Sequence, residues 1–134
     1  MAKLTVEIVT PERRLLSVQA DEVICPGYAG LFGVRPGHTP FLSLMEPGAL
    51  TLREGTTRQT YFVAGGFVEV NADKVSVLAD QAEPVDGIDV AAAQKRLAEA
   101  QARLKGLSSD DARFELESAT VRRESARMAM TKRS

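Results

Sequence analysis

The chain is poor in the residues that most often carry chemistry: it has one histidine, one cysteine and no tryptophan, and aromatic residues make up 5% of it. With Cys25 alone, neither an internal disulfide nor a multi-thiolate metal site can form, and a reducing compartment fits. With His38 alone, a histidine-rich metal site is excluded and any imidazole catalysis rests on one ring. That ring lies in Pro36-Gly37-His38-Thr39-Pro40, a turn in which a hydrogen-bonding surface or interface histidine is favoured over a general acid or base. No apolar run approaches the roughly 20 residues of a spanning helix. Met1-Ala2-Lys3-Leu4 leads straight into alternating sequence without a signal-peptide core, so a cytoplasmic location is expected.

Other signatures of catalysis are missing as well. Gly27-Tyr28-Ala29-Gly30 and Gly65-Gly66 are not followed by the helix that a phosphate cradle requires, and they read as turns. Cys25 stands in an apolar run before Pro26, the setting of a buried, inert thiol. No set of nucleophile, base and oxyanion donor can be assembled, which argues against a small hydrolase. A net charge of −1 argues against a nucleic-acid binder. The charge is uneven, however: residues 1–88 carry 7 basic and 11 acidic groups, and residues 89–134 carry 10 basic and 7 acidic.

The first part of the chain has the period of strands. Leu4, Val6 and Ile8 alternate with Thr5 and Glu7, and short apolar runs recur at Glu22–Cys25, Leu31–Val34, Ala49–Arg53, Thr60–Ala64, Phe67–Val70 and Val75–Ala79. Turn chemistry separates them at Pro11–Arg14, Gly27–Gly30, Arg35–Gly37, Glu46–Gly48, Glu54-Gly55, Gly65-Gly66 and Asn71–Asp73. This spacing predicts an antiparallel β-sandwich over residues 1–86.

After Asp86-Gly87 the period changes. Val90, Ala93, Leu97, Ala100, Leu104 and Leu107 form a helical stripe, with Asp89 as N-cap and Gly106 as stop. Ser108–Asp111 reads as a polar turn into a second helix ending near Met130, with Ala112, Leu116, Ala119, Ala126 and Met130 on one line and Phe114, Val121 and Met128 on another. Residues 87–134 are thus expected to form an antiparallel two-helix hairpin, whose alanines allow close approach but bury little area. Such a hairpin is suited to detaching without unfolding. Its basic end, Arg122, Arg123, Arg127, Lys132 and Arg133, reads either as a solvated face or as a dock for an acidic partner.

Gly30-Leu31-Phe32-Gly33-Val34-Arg35-Pro36-Gly37-His38-Thr39-Pro40-Phe41-Leu42 resembles the glycine, proline and histidine pattern of ATP synthase epsilon subunits. Glu46-Pro47-Gly48, Gly65–Val70 and Val75–Asp80 continue the resemblance in the family's order, and the hairpin follows, so that it covers essentially the whole chain. The resemblance implies a non-catalytic central-stalk subunit of a bacterial, proton-translocating F-type ATP synthase, peripheral to the cytoplasmic face of the inner membrane. It implies that the sandwich binds the gamma subunit and the polar loops of the c-ring, with Leu31, Arg35, His38 and Phe41 at that interface. Many relatives carry a polar or acidic residue where Leu31 stands, so an apolar contact replaces a charged one here. The family's hairpin extends into the catalytic head and restrains ATP hydrolysis, which makes Arg113, Arg122, Arg123 and Arg127 the candidates for meeting alpha and beta subunits. No cofactor is implied. Relatives that bind ATP carry an Ile/Leu-Asp-x-x-Arg-Ala motif, matched by Ile88-Asp89-Val90-Ala91-Ala92-Ala93 except that Ala92 replaces the arginine. Glu83 and Asp89 are left as a weak candidate ATP site. From another functional class, a free-standing ligand-binding sandwich with a helical oligomerisation tail is the alternative.

Overall fold

Leu4, Val6 and Ile8 are fully buried and their neighbours half-exposed, so the alternation at the start of the chain becomes strand β1 (Leu4–Val9). The computed structural model describes residues 3–131. Nine further strands follow among them: β2 (Arg14–Ala20), β3 (Glu22–Gly27), β4 (Gly30–Val34), β5 (Phe41–Leu44), β6 (Gly48–Glu54), β7 (Thr57–Ala64), β8 (Phe67–Asn71), β9 (Lys74–Leu78) and β10 (Gln81–Pro84). They form two five-stranded sheets, ordered β2-β1-β9-β8-β5 and β10-β7-β6-β3-β4.

Between the sheets lies one apolar core that includes Leu4, Val6, Ile8, Val23, Cys25, Leu50, Val63, Val68, Val70, Val75 and Val77. Burial pushes the Cys25 thiol up to about 12, consistent with an inert core residue. The sandwich is not purely antiparallel, because β1 runs parallel to β9 with Val6 beside Val75 and Ile8 beside Val77. Pro26 fits inside β3 because the ladder from β3 to β6 has already ended at Ile24, so the absent N–H leaves no gap in it. The chain leaves one sheet for the other at Gly65-Gly66, both with positive φ; a Cβ on Gly66 would collide with the Leu78 carbonyl.

The chain divides into two compact units between Val85 and Asp86, one residue from the expected boundary. The second unit holds α1 (Val90–Lys105) and α2 (Ala112–Thr131), which pack on each other. Asp89 caps α1: its Oδ1 accepts from the Ala92 N–H at 3.0 Å. At the other end the Gly106 N–H donates to the Arg103 carbonyl at 3.2 Å. Ala93 and Ala100 of the expected α1 stripe are buried, whereas Val90 is exposed. The expected α2 stripe needs correction at its start, since Ala112 and Leu116 are exposed. The buried positions of α2 are Glu124, Arg127 and Met130, so the expected stripe holds at Met130 while two charged side chains beside it are buried as well.

Candidate interaction surfaces

Strands β4 and β5 end their respective sheets and are tied together. The Tyr28 N–H donates to the Leu44 carbonyl at 2.8 Å, and the Phe32 and Phe41 rings meet edge to face at 5.1 Å. By register, Phe32 lies opposite Cys25 and Phe41 opposite Val70, so both rings stand on the core side and close the sandwich there.

The turn between these strands is held from outside. The Gly37 N–H donates to Asp73 Oδ1 at 2.7 Å, and the His38 N–H donates to the Arg35 carbonyl at 3.1 Å. Asp73 and Ala72 both adopt positive φ in the β8–β9 turn, which is what aims the Asp73 carboxylate at the neighbouring loop. The His38 ring packs against Phe41 at 5.9 Å, with Nδ1 donating to the Thr39 carbonyl at 2.6 Å. Arg35 reaches elsewhere: its Nε donates to Glu22 Oε2 at 3.1 Å. On Glu22, burial raises the carboxyl pKa, but the hydrogen bonds from Arg35 and Arg53 outweigh it and hold the group below its ordinary value.

Leu31 is 73% exposed and, lying opposite Pro26, points to the outer side of its own sheet. The structure therefore brings the His38 and Phe41 rings together, while the Arg35 side chain turns away to Glu22. Beyond these residues, the register exposes a row that the sequence reading missed. Leu44, Phe67, Leu78 and Val9 lie side by side across β5, β8, β9 and β1, on the face turned away from the core. Leu42, at 65% exposure, adjoins the row from the same face of β5. The remainder of that face is polar, with Glu69, Ser76 and Glu7 in the next row and Lys74 paired to Glu7 at 3.5 Å. An apolar band within a charged surface suits a protein partner. Its signal was present in Phe67-Val68-Glu69-Val70: Phe67 shares parity with Glu69 and so cannot face the core.

The hairpin arginines occupy different environments. Arg113 chelates Asp111 through contacts of 3.1 and 2.9 Å, which holds the Asp111 carboxyl down at about 2. Arg122 pairs with Glu115 at 3.3 Å in solvent. Arg123 Nε lies 3.0 Å from Glu124 Oε2, and Arg127 Nε lies 3.1 Å from Glu124 Oε1. From α1, Arg96 adds a contact of 3.1 Å to the same carboxylate, which is fully buried. Burial raises the Glu124 pKa, but the hydrogen bonds from Arg123 and Arg96 and the charge of Arg127 together hold it below its ordinary value. Arg127 is 5% exposed, so the solvated-face reading fails for that residue. Glu83 lies half-buried on β10 beside Phe62 of β7, and Asp89 is engaged in its cap. Among the described residues no helix is long and apolar enough to cross a membrane.

Residues 3–85 match the family described as the ATP synthase delta/epsilon chain β-sandwich domain. Over 128 residues the chain is 77% identical to the ATP synthase epsilon chain of Myxococcus xanthus (strain DK1622), covering 96% of this chain and 94% of that one. It is 50% identical to the ATP synthase epsilon chain of Anaeromyxobacter sp. (strain K), covering 97% and 98%. Among solved structures, it is similar in fold to a chain of the Euglena gracilis mitochondrial ATP synthase assembly of OSCP, F1 and c-ring. That likeness has a TM-score of 0.82 at 23% identity and covers 96% of this chain and 81% of that one. The sandwich, the helical pair and the relatives agree: this chain belongs to the delta/epsilon family of ATP synthase subunits, as an epsilon-type chain.

Proposed function

We propose that the chain acts without catalysis of its own, joining the gamma subunit to the c-ring and restraining ATP hydrolysis through its hairpin. The observation that carries this reading is the apolar row Leu44, Phe67, Leu78 and Val9, with Leu42 beside it, on an otherwise polar sheet face. Gamma binds that band. The tethered turn with His38 and Phe41, together with Leu31 and Arg35, meets the polar loops of the c-ring, and Leu31 supplies an apolar contact there. On this reading the protein sits at the cytoplasmic face of the bacterial inner membrane, held by its partners.

The hairpin meets alpha and beta subunits when it extends, through Arg113, Arg122, Arg123 and Arg127. In the closed hairpin Glu124 is shared by Arg123 and Arg127 of its own helix and by Arg96 of α1, so opening removes the Arg96 contact and exposes the α2 cluster to acidic partner segments. ATP binding near Glu83 and Asp89 lacks the guanidinium that Ala92 replaces, which favours control by partners over control by nucleotide.

The test adds three proteins to an epsilon-depleted catalytic complex, measuring gamma binding and ATP hydrolysis together. The full chain is expected to bind and inhibit, and a chain ending at Ile88 to bind and inhibit less. The double variant Leu44→Asp/Phe67→Asp is expected to lose binding, because two carboxylates would have to be desolvated against an apolar partner. Undiminished binding by the double variant would remove gamma from this face, and equal inhibition by the full and shortened chains would remove the hairpin from the restraint.

A further inference from the structure

The two helices of the hairpin are joined by ion pairs that share one register. Arg96 on α1 meets Glu124 on α2 at 3.1 Å, and Arg103 on α1 meets Glu117 on α2 at 2.8 Å. The arginines are seven residues apart, and so are the glutamates. Two helical turns separate the rungs on each helix, so a single antiparallel alignment satisfies both. The second rung is bifurcated, with the one Nε–H of Arg103 at 2.9 and 2.8 Å from the two Glu117 oxygens.

Apolar packing is a weak source of that alignment. The buried residues of α1 are Ala93 and Ala100, whose methyl groups offer no large knob to seat in a specific hole. Sliding α2 by one turn would instead set Arg96 near Thr120 or Arg127, and Arg103 near Arg113 or Thr120. Either slip forfeits both ion pairs and can place like charges together. The cluster around Glu124 raises the stakes, since its buried carboxylate is matched by Arg96, Arg123 and Arg127.

The same composition makes opening tolerable. Separating a leucine seam would expose a large apolar face to water. Separating these helices exposes two alanines, Met130 and leucines that are already half-exposed, while guanidinium and carboxylate groups recover hydration. We propose that Arg96–Glu124 and Arg103–Glu117 form a two-rung charge ladder that fixes the hairpin register and makes its closure reversible and sensitive to ionic strength. Only the free chain is involved, so the ladder stands or falls independently of any stalk partner.

Amide hydrogen exchange on the full chain tests this, with sandwich peptides as the internal reference. Glu117→Arg and Arg103→Glu, each alone, are expected to speed exchange across α1 and α2 about tenfold while sandwich peptides stay unchanged. The double variant Arg103→Glu/Glu117→Arg restores opposite charges and is expected to return to within about twofold of the parent. Raising salt from about 50 to about 500 mM is expected to speed hairpin exchange in the parent about twofold. Unchanged exchange in the single variants, failure of the double variant to recover, or acceleration spread equally into the sandwich would each overturn the ladder.

Discussion

The sandwich core is wholly apolar, whereas the hairpin buries charged side chains beside its apolar ones. Between the sheets lie valine, leucine and isoleucine, and the largest of them are fully inaccessible. In the helical unit the residues withdrawn from water include two alanines, a glutamate and an arginine. The first unit is held by a non-directional force that grows with area, the second by paired charges that require one geometry. One is suited to be a permanent body, the other to change partners.

The sharpest way to break this comparison is to damage the permanent body. Leu50→Ala removes buried methyl groups from a core with no exposed side to relax into, and a loss of roughly 2 to 5 kcal/mol in urea unfolding is expected. Acid separates the two units by a different route. Asp111 has its carboxyl held down at about 2 against an ordinary 3.8, and Glu117 and Glu124 also lie below their ordinary 4.5. Groups whose folded pKa is depressed contribute stability above the unfolded pKa and lose it as pH falls through the folded value. Hairpin protection should therefore decline as pH drops from about 4.5 toward about 2, read by circular dichroism at the helical minimum. Strand signal that falls first would contradict it. The smallest effect is local: Asp89→Ala removes the cap at the Ala92 N–H and should cost α1 about 1 kcal/mol, visible as faster exchange in its first turn.

Much of the architecture was legible because the hydrophobic period changes once, near Asp86, from two to about three and a half. The strands that escaped reading have identifiable reasons. In β2, adjacent Leu15 and Leu16 break the alternation of an edge strand. β5 is four residues long, lies between Pro40 and Pro47, and faces outward with Leu42 and Leu44; β10 is equally short and ends in Pro84. The second helix was misread for a deeper reason. Apolar spacing made a stripe through Leu116, whereas burial also takes in Glu124 and Arg127, and hydropathy has no means of scoring a charge that is welcome inside because neighbours on its own helix and Arg96 of the other helix pair with it. Of the candidate interface residues, the His38–Phe41 contact could be anticipated from a Pro-Gly turn. The Asp73 tether could not, since it depends on positive φ at a distant hairpin.

The parallel pairing of β1 with β9 has a mechanical meaning. β1 lies in the interior of its sheet, bonded along its length to β2 on one flank and β9 on the other. A pull along this strand cannot peel its hydrogen bonds apart one at a time; it must load two ladders at once, in shear. A body built this way can bear torque passed through its flank without the strand at its start being drawn out of the sheet.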